Sequence, residues 1–224
     1  MVRWIYRGLL CAAFLHAGFL FSAPPSPAQW YVGASGAYTQ PFFFGLINDI
    51  YATAPASFSP GIIVGREAYL VGNHTYGLEL FVARSIATEA TQPNFVPTFS
   101  QQYPAGAMIH YRNIAQTLGV LSFTYHYALT DWLSLAGKLG VGARHLHAEI
   151  TLETAGAVYN AASPSGAMAI FSAALGFELK SLTWGRIGIF YRSVPPVVYS
   201  VSVGTATVRS ADMLAVEWRL MLPE

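Results

Sequence analysis

His145 and His147 lie two residues apart in "HLH". In an extended strand that spacing turns both imidazoles to one side, an arrangement some metal sites use. Glu149 would share that side only if the strand ran on into a loop, and no third ligand is evident. A loop-proximal histidine pair is the competing reading. His126, Ser122 and Glu178 supply the residue types of a base, a nucleophile and an orienting acid. No motif surrounds them: the chain has no phosphate-binding loop and no "GxSxG". His74 and His110 are scattered. Neither a catalytic set, a metal site nor a cofactor is expected from these residues.

Other charged residues pose a different question. Lys138 sits inside "LSLAGKLGVGA", otherwise apolar, glycine or serine. An unpaired ammonium in a dry core strand is costly. The glycine content disfavours a helix. Glu79 and Glu178 are placed in the same way within apolar, alternating stretches. Together with Arg186, Arg192, Glu217 and Arg219 they form a set of opposite charges that could satisfy one another. If all seven point to one interior, they make an ion-pair network, with Glu178 expected at its centre.

Composition limits what that interior can be. The 224 residues are 54% hydrophobic and 10% charged, well below the roughly 25% charge of ordinary soluble domains. Yet past residue 30 no apolar run reaches the ~18 residues of a spanning helix. A chain this apolar without a spanning helix fits either a dry soluble core or a closed barrel in lipid.

The first residues indicate the compartment. Arg3 and Arg7 precede an apolar stretch from Leu9 to Phe21, and Ser26 and Ala28 fit a small-x-small cleavage site. This predicts a signal peptide over residues 1–28 and a mature domain over 29–224. The one cysteine, Cys11, falls inside the signal peptide, so no disulfide is expected. Of the twelve Lys and Arg, Arg3 and Arg7 are lost with it, leaving ten against eleven Asp and Glu. That balance gives no sign of nucleic-acid binding.

From Trp30 onward the apolar residues recur with period two, the signature of strands. Eight strand-like segments are expected: Trp30–Tyr38, Pro60–Leu70, Thr75–Ser85, Ala115–Tyr127, Trp132–His147, Ala167–Lys180, Thr183–Ser193 and Ala211–Leu222. Their connections alternate long and short. In an up-and-down meander all long loops then fall at one end, as in a transmembrane β-barrel. One face of each segment is aliphatic and aromatic, such as Leu175, Phe177 and Leu179. The other mixes charge with Gly, Ala and Ser. Small residues beside charges suit a narrow lumen, so the apolar face is assigned to lipid. Arg66 and Glu67 are adjacent and must point opposite ways unless a bulge intervenes. Phe123, Tyr125, Tyr127, Trp132, Phe177 and Trp218 are expected at the lipid interface.

The chain resembles bacterial outer-membrane eight-stranded β-barrels, the group of the outer-membrane protein A membrane domain and the opacity-type surface proteins. The resemblance rests on the signal peptide followed by "WYVGASGAY", the hairpin "FTYHYALTDWLSLAGKLGVGA" and the last strand "ADMLAVEWRLML". It departs from the group at its end, "RLMLPE", where an aromatic residue is usual. The resemblance implies an all-β, eight-stranded antiparallel barrel in the outer membrane. It also implies contact with membrane lipid and lipopolysaccharide, and extracellular partners taken by the long loops, above all Ile86 to Arg112. A monomer is favoured, and no peptidoglycan-binding module is expected after the barrel. Three functions stay open: a plugged structural or adhesive barrel, a narrow channel or small-hydrophobe conduit, and a lipid A-modifying enzyme. The first is preferred, with no enzymatic activity. The aromatic "PFFFG" at Pro41 to Gly45 is a candidate contact patch.

Overall fold

A computed structural model describes residues 29–39, 42–44, 51–53, 57–69, 72–95, 107–154, 157–162, 165–181, 185–194, 197–201, 204–208 and 212–222. The expected signal peptide and the terminal Pro223 and Glu224 lie outside them. Among the described residues all regular structure is strand. In chain order the strands are β1 (Gln29–Thr39), β2 (Phe42–Phe44), β3 (Tyr51–Thr53), β4 (Ser57–Tyr69), β5 (His74–Arg84), β6 (Thr88–Phe95) and β7 (Ala107–Ala128). They continue as β8 (Leu133–Thr154), β9 (Ala157–Ala162), β10 (Ser165–Ser181), β11 (Gly185–Ser193), β12 (Val197–Val201), β13 (Gly204–Val208) and β14 (Met213–Met221).

Eight of these close on themselves. The antiparallel order is β1-β4-β5-β7-β8-β10-β11-β14, and β14 returns to β1. Each of the eight expected segments supplies one barrel strand. Closure fixes a stagger, which can be followed from partner to partner. Thr39 pairs with Met213, then Arg192, Ala174, Lys138, Thr124, Gly77, Glu67 and finally Gln29. One circuit therefore moves from residue 39 to residue 29 of the same strand, a shear of ten. With eight strands that stagger tilts the strands and leaves a lumen that side chains can fill.

Alternation then sorts every residue to one side. In β14 the burial runs buried, exposed, buried, exposed from Met213 through Leu220. The outward residues of the barrel strands are apolar: Ile62, Leu80, Val141, Leu175, Ile189 and Val216 are all exposed. The inward residues include Glu79, Lys138, Arg192, Glu217 and Arg219, each at most 2% exposed. This is the inverse of a soluble barrel and what a spanning barrel requires, because every backbone group bonds within the sheet and hydrocarbon meets lipid.

Tight connections gather at one end. β4 and β5 join through a turn where Gly72 has φ +81°. β7 and β8 join through 129–132, where Thr130 Oγ1 accepts the Leu133 backbone N–H at 3.0 Å.

The long connections are more structured than the sequence suggests. The segment Ile86 to Arg112, expected as loop, contains β6 and the start of β7. The loop expected at Glu153 to Gly166 contains β9. β7 and β8 each run 22 residues and carry β6 and β9 on their outer edges beyond the barrel. The alternation rule fails there because both faces of an extension outside lipid can meet water. A bulge between Arg112 and Ala115, with Asn113 at φ +51°, marks the transition. The segments expected as the first and last long loops supply a separate sheet, β12-β13-β2-β3. It includes Phe42 to Phe44 of the aromatic patch.

Candidate functional site

The lumen collects the charges. Lys138 lies well inside β8, and the two inward positions that follow it along that strand are Gly140 and Gly142. Neither position tolerates a side chain: a Cβ on Gly140 would meet Ser122 Oγ at 2.5 Å, and one on Gly142 would meet Val120 Cα at 2.8 Å. The glycines around Lys138 thus let strands close in while one long cation occupies the interior.

Its partners come from across the barrel. Lys138 Nζ is 2.8 Å from Glu79 Oε1 and 2.5 Å from Glu217 Oε2. Arg219 Nη2 is 2.9 Å from Glu79 Oε2 and 2.8 Å from Glu217 Oε2, and Arg219 Nη1 contacts Glu178. Arg192 Nη2 stands 3.7 Å from Glu217 and 3.9 Å from Glu79. Such burial is tolerated only because each ion has several opposite charges around it. Rings complete the enclosure: Lys138 Nζ lies 4.1 Å from the Phe190 ring centre and the Arg192 guanidinium 4.2 Å from that of Phe81. Tyr31 donates its hydroxyl to Glu79 Oε2 at 3.0 Å.

A second cluster lies closer to the tight turns. Arg186 Nη1 is 2.7 Å from Glu67 Oε1 and 3.9 Å from Glu178 Oε2. His126 Nδ1 is 2.8 Å from Glu178 Oε2, and its Nε2 is 3.8 Å from Glu67 Oε1. One expectation changes here. Glu178 is not the hub: Arg219 touches Glu79, Glu178 and Glu217, and so joins the two clusters. The register pairs Glu178 with Gly188 and Lys180 with Arg186, which sets Glu178 and Arg186 diagonally on neighbouring strands. The Arg186 side chain reaches across to Glu67.

Glu67, Tyr31 and His126 join the lumen network without belonging to the charge set expected from the sequence. The adjacency of Arg66 obscures Glu67 in the sequence. The register from β1 to β4 is continuous, so Arg66 points outward over the Trp30 ring (5.5 Å) while Glu67 points inward. Strict alternation through the adjacent pair was the available signal. In the sequence His126 stands out only as a candidate base. Its nitrogens face Glu178 and Glu67, and among the described contacts none joins it to Ser122. All three residues are buried in the lumen, away from lipid. Higher in the lumen, Arg144 Nε donates to Gln116 Oε1 at 3.0 Å.

The interface aromatics all project outward. Trp132 and Phe177 are exposed, as are Phe123 and Trp218, with Tyr125 and Tyr127 half-buried among their neighbours. On β5 and β7 the rings form a continuous patch: His74 Nδ1 and Tyr125 Oη are 2.8 Å apart, and Tyr76 packs on Tyr125 and Phe123. His145 and His147 also project outward, and His147 Nε2 is 4.0 Å from Glu149 Oε1.

A closed eight-stranded sheet with lipid-compatible walls and an ionic interior is a transmembrane β-barrel of the bacterial outer-membrane type. The chain is similar to several solved structures. Ail, the attachment invasion locus protein of Yersinia pestis, is similar at a TM-score of 0.39 and 13% identity, over 85% of this chain and 98% of that one. OprG, an outer-membrane protein from Pseudomonas aeruginosa, is similar at 0.49 and 12%, over 86% and 96%. Neisserial surface protein A is similar at 0.40 and 12%, over 86% and 99%. At these identities no residue role carries across. No protein-family profile matches the chain, and no curated protein matches it.

Proposed function

We propose that residues 1–28 are a cleaved export signal and that residues 29–224 work as a small surface barrel whose lumen is plugged by its own ion pairs. The observation that carries this reading is the Lys138–Glu79–Glu217–Arg219 cluster. It sets two cations against two carboxylates in the interior, so these four charges neutralise one another. Recognition then falls to the far end, where β6 to β9 and the sheet of β12, β13, β2 and β3 stand on a rigid scaffold. Extracellular partners would dock there, while lipid and lipopolysaccharide surround the wall. The aromatic residues Phe123, Tyr125, Tyr127, Trp132, Phe177 and Trp218 anchor the barrel at the lipid boundary. No catalytic role is assigned, because the Ser122–His126–Glu178 set does not assemble as a nucleophile and base.

Planar-bilayer recording tests the plug. The purified barrel should insert without steady conductance. A steady, ohmic pore from the unmodified protein would instead favour the narrow-channel reading.

A further inference from the structure

At the end of the barrel away from the tight turns, the outward wall carries a charge that the lumen network does not use. Arg84 ends β5 and is exposed. It pairs in register with Thr117 of β7, which pairs with His145 of β8. All three alternate outward, so they form one row across three adjacent strands. The row marks the edge of the apolar band. One outward step nearer the tight turns are Val82, Gly119 and Ala143, and the next step brings Leu80, Leu121 and Val141, which are exposed. Tyr38 and Phe58 stand at the same end of β1 and β4, both outward.

Resting on the outer-membrane reading, we infer that Arg84, Thr117 and His145 bind the phosphomonoester headgroup of an outer-leaflet glycolipid, with its acyl chains lying on the apolar wall below. Three observations support this. First, among the described residues nothing bonds the Arg84 guanidinium, whereas Arg186, Arg192 and Arg219 in the lumen each stand beside at least two carboxylates. Second, a guanidinium at the apolar boundary sits at headgroup height, and its planar fork matches phosphate oxygens in pairs. The Thr117 hydroxyl and the His145 ring extend the donor row beside it. Third, the outward acids stand away from this row. Glu149 lies four residues beyond His145 along β8, beside His147 and paired in register with Arg112. Glu89 is on β6, past the end of β5. The row is therefore a cationic step between hydrocarbon and the more mixed extension above it. An anionic lipid complements it on both counts, charge at the headgroup and apolar chain at the wall.

The test uses the refolded barrel in mild detergent, with bis-phosphorylated lipid A, its dephosphorylated form and phosphatidylglycerol as probes. Native mass spectrometry reads the lipid retained by each. The barrel should retain phosphorylated lipid A in preference to both others. Arg84→Gln should lower that retention by about tenfold, the loss expected for a charge-assisted pair worth about 1.4 kcal/mol. Arg84→Lys should restore part of it. Equal retention of the three lipids would overturn the site, as would an Arg84→Gln/His145→Ala variant that binds like the parent. Heat-dependent gel mobility of each variant reports the barrel separately. A variant that keeps the mobility shift but shows no lipid preference condemns the site alone, whereas loss of the shift in the parent would remove the membrane reading beneath it.

Discussion

Lys138 and Glu79 meet at 2.8 Å although their strands are not neighbours. β7 lies between β5 and β8, so the bond crosses the lumen as a chord. A contact of this kind ties non-adjacent staves of the barrel together. It also explains why an ammonium sits in the apolar, glycine-rich stretch that carries Lys138.

Breaking that chord should destabilise the barrel. Lys138→Met leaves Glu79 and Glu217 buried with only arginines to balance them, and removing one partner of a buried pair costs about 3–5 kcal/mol. Glu79→Gln in the same background should recover part of the loss. Urea unfolding in lipid vesicles across the four-member cycle should give a coupling of about 0.5–3 kcal/mol. Additive single effects would mean that the two side chains do not interact.

Outward positions should respond to depth in the membrane. Leu175 is 61% exposed and lies among the aliphatic residues of the band. Leu175→Arg should cost about 2–4 kcal/mol, while Tyr38→Arg near the band's edge should cost about 0–1 kcal/mol. Folding titrations into vesicles measure both. A soluble barrel with these side chains in water would tolerate Leu175→Arg.

Close strand approach makes two glycines unequal. A side chain on Gly142 would run into the backbone of Gly119 and Val120, whereas a Cβ on Gly137 meets nothing within 4 Å. Gly142→Val should therefore lower stability by about 1–3 kcal/mol through overpacking. Gly137→Ala should change it by less than about 0.5 kcal/mol. Thermal mobility-shift midpoints distinguish the two.

Arg219 holds the two ion clusters together, so its loss should unplug the lumen. Arg219→Ala leaves Glu79, Glu178 and Glu217 less compensated. Bilayer recordings should then show openings where the parent barrel shows none. A variant as silent as the parent would contradict the role of Arg219 in holding the plug.

The faces of the eight barrel strands were legible because lipid on one side and ions on the other force strict alternation. Leu133, Leu135 and Leu139 against Ser134 and Lys138 show it in one strand. Three things were hidden. The adjacency of Arg66 and Glu67 left the β4 face open until register with β1 resolved it. The cross-lumen partners of Arg186 depend on a shear of ten, which local patterning does not encode. Beyond Arg112 the extensions of β7 and β8 leave lipid, lose the two-sided contrast and read as loop.

The most direct measurement is the electrophoretic mobility of the purified barrel in detergent, unheated and boiled, with circular dichroism on the same sample. A lipid-facing closed barrel resists the detergent, so the unheated band should run apart from the boiled one and the spectrum should be β. A single position under both conditions, with the β spectrum retained, would contradict a lipid-facing wall and place the ionic face outside.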